Sequence, residues 1–176
     1  ALLFPTGYAA NLATISALAD SETAIFSDAL NHASIIDGCR LAKLNGASVK
    51  IYPHCDLNAL ETMLKATDRK RKIVVSDALF SMDGDLAPLR DLVLLREQYG
   101  FLLMLDEAHS TLVYGEKGGG LAEALGLSDR VDLHMGTLSK AFGSHGGFVA
   151  TSKSMKNWLL SKGRAFIYST ALPLPA

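Results

Sequence analysis

Short apolar runs alternate with stretches of helical periodicity along nearly the whole chain, and this alternation restricts the fold more than any other feature. Candidate strands are Thr23–Ser27, Val49–Tyr52, Ile73–Ser76, Phe101–Leu105, Val131–His134, Gly147–Ala150 and Phe166–Tyr168. They are continuously apolar, the pattern of strands covered on both faces. In the intervening stretches Leu12, Ile15 and Leu18 share one helical face, and Leu57, Leu60, Met63 and Leu64 another, the latter opened by Asp56 as N-cap. Leu86–Tyr99 carries Pro88 near its start and Gly100 just beyond its end. Ser152 caps a last helix bearing Met155, Trp158 and Leu159, whose apolar groups read as core. Strand–helix repetition of this kind gives an α/β fold with a mainly parallel sheet and helices on both faces.

The 176 residues are 49% hydrophobic and 20% charged, enough apolar mass for one domain or the body of a larger one. The net charge of −1 supplies no attraction for nucleic acid or an anionic membrane. No apolar run approaches the ~18 residues of a membrane span. Two cysteines, Cys39 and Cys55, make no disulfide framework and suggest a reducing compartment, so a cytoplasmic location is expected. A peroxisomal or other organellar address would lie outside this sequence. The opening Ala1-Leu2-Leu3-Phe4 and closing Leu172–Ala176 read as cut ends, the latter as a connection onward.

Sites in such sheets form where loops leave the carboxyl ends of strands. Four polar clusters fall there: Asn31-His32-Ala33-Ser34, Asp77 with Phe80–Asp85, Asp106-Glu107-Ala108-His109, and Gly136–Lys140. Asp-Glu-Ala-His after a strand also occurs in nucleotide-hydrolysing motors, but those need G-x-x-x-x-G-K-[ST], and no lysine here has that spacing. The same residues suit another chemistry. A buried carboxylate pairs with a pyridinium nitrogen, a histidine three residues on reaches a neighbouring phenolic oxygen, and a strand-end lysine, Lys140, forms a Schiff base. His32 reads either as a helix cap or as a ring that stacks on a cofactor and moves protons. Pro5-Thr6-Gly7-Tyr8 opens a helix whose N–H groups suit a phosphate. Asp68–Lys72 is a solvated charge run. His54-Cys55 has no second pair at zinc-ligand spacing, so no metal is expected. His145 reads equally as loop packing or as a distal site residue.

Together, Asn31–Gly38, Phe80–Asp85, Asp106–His109, Thr137–Ala141 and Gly146-Gly147-Phe148 resemble the α-oxoamine synthases, and Gly115–Gly120 and Gly163–Ala171 resemble their biotin-pathway branch. The resemblance runs over the whole chain, in order. It implies the large cofactor domain of the aspartate-aminotransferase fold (fold type I), with a seven-stranded sheet, and pyridoxal 5'-phosphate (PLP) as cofactor. It implies Lys140 as the cofactor-bearing lysine, Asp106 against the pyridine nitrogen, and His109 and Ser81 near the ring oxygen. His32 would stack on the ring, and Thr137 with Gly7 and Tyr8 would hold the phosphate. Lys140, His32 and Asp106 are the implied catalytic residues. The implied reaction joins L-alanine to pimeloyl-CoA with release of CO₂ and CoA in a homodimer, with Ser169 and Thr170 reaching the partner's site. Sister enzymes using glycine or serine share the lysine machinery, and an inactive dimerising subunit is the non-enzymatic alternative. Many members carry arginine at the position of Gly119 and glutamate at that of Asp77. Members are also longer, so residues 1–176 are expected to be most of the large domain, with an N-terminal segment and a C-terminal small domain absent.

Overall fold

The computed structural model describes residues 1–173; the end of the Leu172–Ala176 run lies outside the described residues. Seven strands, β1 (Leu2–Phe4), β2 (Thr23–Asp28), β3 (Ser48–Tyr52), β4 (Arg71–Asp77), β5 (Leu102–Asp106), β6 (Leu133–Thr137) and β7 (Gly147–Thr151), form one sheet in the order β1-β7-β6-β5-β4-β2-β3. The five strands from β6 to β3 are parallel, whereas β7 runs antiparallel to both β6 and β1. The helices are α1 (Gly7–Leu18), α2 (Ala33–Leu44), α3 (Leu57–Lys65), α4 (Leu89–Tyr99), α5 (Leu121–Ala124), α6 (Lys153–Lys162) and α7 (Arg164–Ile167).

The strands are uniformly apolar because each feeds two cores. Ile25, Ile73, Val75, Met104 and Leu133 pack with Ala10 and Ile15 of α1, Ile35 of α2 and Leu159 of α6. Their sequence neighbours Ala24, Phe26, Val74, Leu103 and Leu105 pack on the opposite face against Leu60 and Leu64 of α3, Leu89 and Leu92 of α4, and Leu121 of α5. Side chains alternate between faces along a strand, so two apolar layers need an unbroken apolar sequence.

Helix ends follow the expected chemistry. Asp56 accepts the N–H of Ala59, and Ser152 that of Met155. Gly100 closes α4 at φ 64°, a left-handed conformation that glycine adopts without cost from a side chain.

Two expectations are corrected. Phe166–Tyr168 is no strand: Phe166 and Ile167 donate to Gly163 O and Tyr168 donates to Arg164 O, so the segment coils locally as α7. Its apolar character serves packing, with the Phe166 ring edge-on to Phe4 at 5.4 Å. The seventh strand is β1 instead, three residues whose Leu2 and Phe4 are buried while Leu3 is 57% exposed. Trp158 also departs from its core reading. Its ring is half exposed, and its Nε1–H donates to Ala17 O at 2.8 Å, tying α6 to α1.

Candidate active site

Four neighbouring strands end in buried polar residues: β6 in Thr137, β5 in Asp106, β4 in Asp77 and β2 in Asp28. The sheet order sets these ends in one row along the carboxyl edge. In front of them is a cavity of about 250 Å³, lined by Thr6, Gly7, Tyr8, His32, Ser34, Asp77, Asp106, Ala108, His109, Met135, Thr137, Ser139 and Lys140. Gly7, Tyr8, His32, Asp106, His109, Thr137 and Lys140 therefore converge from four separate parts of the sequence. Ser81 does not join them. Phe80 N–H bonds Asp85 O and Gly84 N–H bonds Phe80 O, a tight turn that buries Phe80 and leaves Ser81 exposed, off the cavity wall. His145 is likewise exposed and outside the lining. Ser169 and Thr170 line a separate groove with Phe4 and Phe166.

One wall is the amino end of α1. Thr6 caps it, its Oγ1 accepting Ala9 N–H at 3.0 Å. The N–H groups of Gly7 and Tyr8 in the first turn have no intrahelical acceptor, and the helix dipole adds positive potential there. Space is short here: a Cβ on Gly7 would stand 3.2 Å from Thr137 Cβ, and a Cβ on Gly147 would stand only 2.6 Å from Gly7 Cα. This places the helix end directly against the β6–β7 edge. Thr137 Oγ1 donates to Gly146 O at 3.0 Å and contacts Ser139 Oγ at 2.8 Å, shaping the loop that carries Lys140.

His32 meets the helix-cap expectation and also lines the cavity. It caps α2, with Nδ1 accepting Ser34 N–H at 3.2 Å, and its side chain lines the cavity. Its backbone N–H donates to Asp77 Oδ2 at 3.1 Å.

Asp77 and Asp106 are register partners on adjacent strands, and both are buried. Burial, then the charge of Asp106, pushes the Asp77 carboxyl up to about 8. Burial also raises Asp106, opposed by Asn11 Nδ2 donating to Oδ2 at 2.7 Å and Ala108 N–H donating to Oδ1 at 3.0 Å. His109 is held below its ordinary range by burial and the Lys140 charge, so its imidazole is neutral near pH 7.

Sequence reasoning missed Asn11. It is fully buried, bridges Asp106 and Ser34 Oγ (2.8 Å), and leaves Oδ1 without a hydrogen-bond partner among the described residues. The available signal is an amide four residues before Ile15, on the inward face of α1. Glu107 turns away from the cavity. Its Oε1 accepts Ala122 N–H at 2.9 Å, so this acid anchors α5.

The cavity thus suits a ligand that is cationic where it meets two crowded carboxylates and anionic at the α1 terminus, with an amine at Lys140 within the same lining. This arrangement on a doubly covered, mainly parallel sheet defines an α/β protein with a strand-end ligand site. The chain belongs to the aminotransferase class I and II family, which matches residues 1–176. It is 52% identical to 8-amino-7-oxononanoate synthase of Arabidopsis thaliana, over 99% of this chain and 40% of that protein. Its fold matches a serine palmitoyltransferase from S. paucimobilis, whose structure holds a PLP–myriocin aldimine, with a TM-score of 0.92 and 35% identity over 98% of this chain and 44% of that one. It also matches 8-amino-7-oxononanoate synthase from Francisella tularensis, with a TM-score of 0.80 and 33% identity over 98% and 49% of the two chains. The chain therefore spans less than half the length of these relatives.

Proposed function

We propose that these residues are most of the cofactor domain of a PLP-dependent α-oxoamine synthase that condenses L-alanine with pimeloyl-CoA, releasing CO₂ and CoA. The observation that carries this reading is the buried Asp77–Asp106 pair sharing one cavity with Lys140, His109 and the open end of α1. When bound, the cofactor supplies an electron sink for a carbanion at the amino acid's α-carbon. Asp106, fixed by Asn11 and the Ala108 N–H, would hold a proton on the pyridine nitrogen. The cation so formed would offset the crowding of the two carboxylates. Gly7, Tyr8 and Thr137 would bind the phosphate, His32 would cover the ring, and the Lys140 amine would be the point of covalent attachment. His109 would donate to the ring oxygen.

The choice of alanine and pimeloyl-CoA rests on similarity to the Arabidopsis relative. The share of each relative that the chain covers supports a longer protein, with further segments completing the substrate site, and the family resemblance supports a homodimer. Two unpaired cysteines support a cytoplasmic location. Among the described residues no helix is long and apolar enough to cross a membrane.

The test uses the full-length protein. Borohydride reduction in the presence of PLP should fix the cofactor on the Lys140 peptide, and CoA release should require alanine and pimeloyl-CoA together. Trapping on another lysine removes the site assignment. Turnover with glycine and acetyl-CoA alone moves the function to a sister enzyme and leaves the cofactor site standing.

A further inference from the structure

A second cluster of ligand-type side chains lies outside the cavity, where β2 and β3 end. The His54 imidazole stands between two carboxylates, with Nδ1 2.8 Å from Asp28 Oδ1 and Nε2 2.6 Å from Asp85 Oδ2. Cys55 follows directly, its Sγ 3.6 Å from His54 Nε2. One ligand atom from each of Asp28, His54 and Cys55 lies within 4.8 Å of the other two. We propose that Asp28, His54 and Cys55 form a binding site for a divalent transition-metal ion of the zinc class, separate from the cofactor cavity.

Three features support it. The donor set of one thiol, one imidazole and one carboxylate is that of a tetrahedral zinc site completed by solvent. Zinc bonds of 2.0–2.3 Å set ligand atoms about 3.3–3.6 Å apart. The Asp28–His54 pair has to open slightly, and the Cys55 thiol, now 3.6 Å from Nε2, has to swing round to the Nδ1 side; both His54 and Cys55 are partly exposed. Second, the supports a metal site needs are already in place. With Nδ1 on the metal, Nε2–H stays on Asp85, a carboxylate–histidine–metal arrangement. Asp28 is buried and fixed by Leu30 N–H on Oδ1 (2.9 Å) and Cys55 N–H on Oδ2 (2.8 Å).

Third, Cys55 has φ 54°, a left-handed conformation that residues with a Cβ rarely adopt. The Asp28 carboxylate holds this bend, and the bend keeps Sγ beside the imidazole. Sequence spacing could not reveal the site, because Asp28 and Asp85 are brought to His54 by the sheet and the Phe80–Asp85 turn. An ion there would clasp the ends of β2 and β3 beside that turn, where the His54 ring already meets Phe80 edge-on at 4.4 Å.

Isothermal titration of the chelator-stripped full-length protein with Zn²⁺ tests the proposal. One ion should bind per chain. Cys55→Ser, nearly isosteric, should weaken binding at least about tenfold, on the scale of ligand-sphere losses. Cys39→Ser, at a buried thiol elsewhere in the fold, should not. In the unsubstituted protein, Zn²⁺ should slow alkylation of Cys55. Absence of stoichiometric binding, equal affinity in Cys55→Ser, or alkylation unaffected by zinc overturns the site. None of these readouts depends on PLP or on acyl transfer.

Discussion

The two edges of the sheet treat charge in opposite ways. At the amino edge Lys70 reaches Glu22 at 2.8 Å, Arg71 pairs with Asp20, and Arg130 reaches Glu97 at 2.7 Å, all largely in solvent. Such pairs are screened and add little to stability. At the carboxyl edge Asp28, Asp77 and Asp106 are at most 5% exposed, and Asp77 and Asp106 stand side by side. Two buried carboxyls side by side cannot both ionise without cost in the absence of a bound cation, and that cost is the physical mark of a site. Charge at one edge serves solubility, and at the other it waits for a ligand.

Asp106→Asn should separate the edges most sharply. Turnover of the full-length enzyme should fall about 10²–10³-fold, roughly 3–4 kcal/mol of barrier, on the scale of a single electrostatic deletion in an active site. The unfolding midpoint of the cofactor-free protein at pH 8 should not fall, since a buried negative charge has been removed. Near-parental turnover would end the assignment of Asp106.

The pH dependence of stability comes next. Asp77 moves from its ordinary 3.8 to about 8 on folding, so between those values the folded protein binds more protons than the unfolded chain. Stability then falls as pH rises through this window, by up to about 1.4 kcal/mol per pH unit. Urea midpoints of the cofactor-free protein at pH 5 and pH 8 should show the decline, and Asp77→Asn should flatten it. Parallel slopes in parent and variant would place the cause elsewhere.

Smaller effects belong to the amino edge. Arg96 binds Asp132 through Nε at 2.7 Å and a second nitrogen at 2.5 Å, and Asp132 also accepts Leu103 N–H. The pair is about three-quarters buried, so Arg96→Met should cost about 1–3 kcal/mol in chemical unfolding without lowering turnover. Arg71→Gln, at an exposed pair, should cost under about 1 kcal/mol, and less in high salt. An Arg71 effect larger than that of Arg96 would contradict the contrast between exposed and shielded charge.

What the sequence disclosed follows the same division. Strands β2 to β7 were legible because doubly covered strands are uniformly apolar, and Asp106, His109, Lys140, His32 and Thr137 because each sits just where such a strand ends. The apolar run at Val131 begins two residues before β6, since apolar content alone does not mark where pairing begins. Strand β1 was hidden because three residues give no period, and its pairing with β7 lies far along the chain. Phe166–Tyr168 misled because a short apolar run looks alike whether it pairs or coils. Asn11 escaped because its meaning depends on Asp106, 95 positions away.

The pairing of β1 with β7 also sets an order of events during synthesis. Leu3 is opposite Phe148, and Trp158 closes onto Ala17 from 141 residues away. At translation rates of about 5–20 residues per second, the first strand waits roughly 7–30 s for its partner to be made. Throughout that interval Leu2 and Phe4 lack the strand that pairs with theirs. The β2–β6 core can assemble meanwhile, so β1 is among the last of these strands to lock. Of the seven strands, β1 therefore stays without its sheet neighbour longest after it is made.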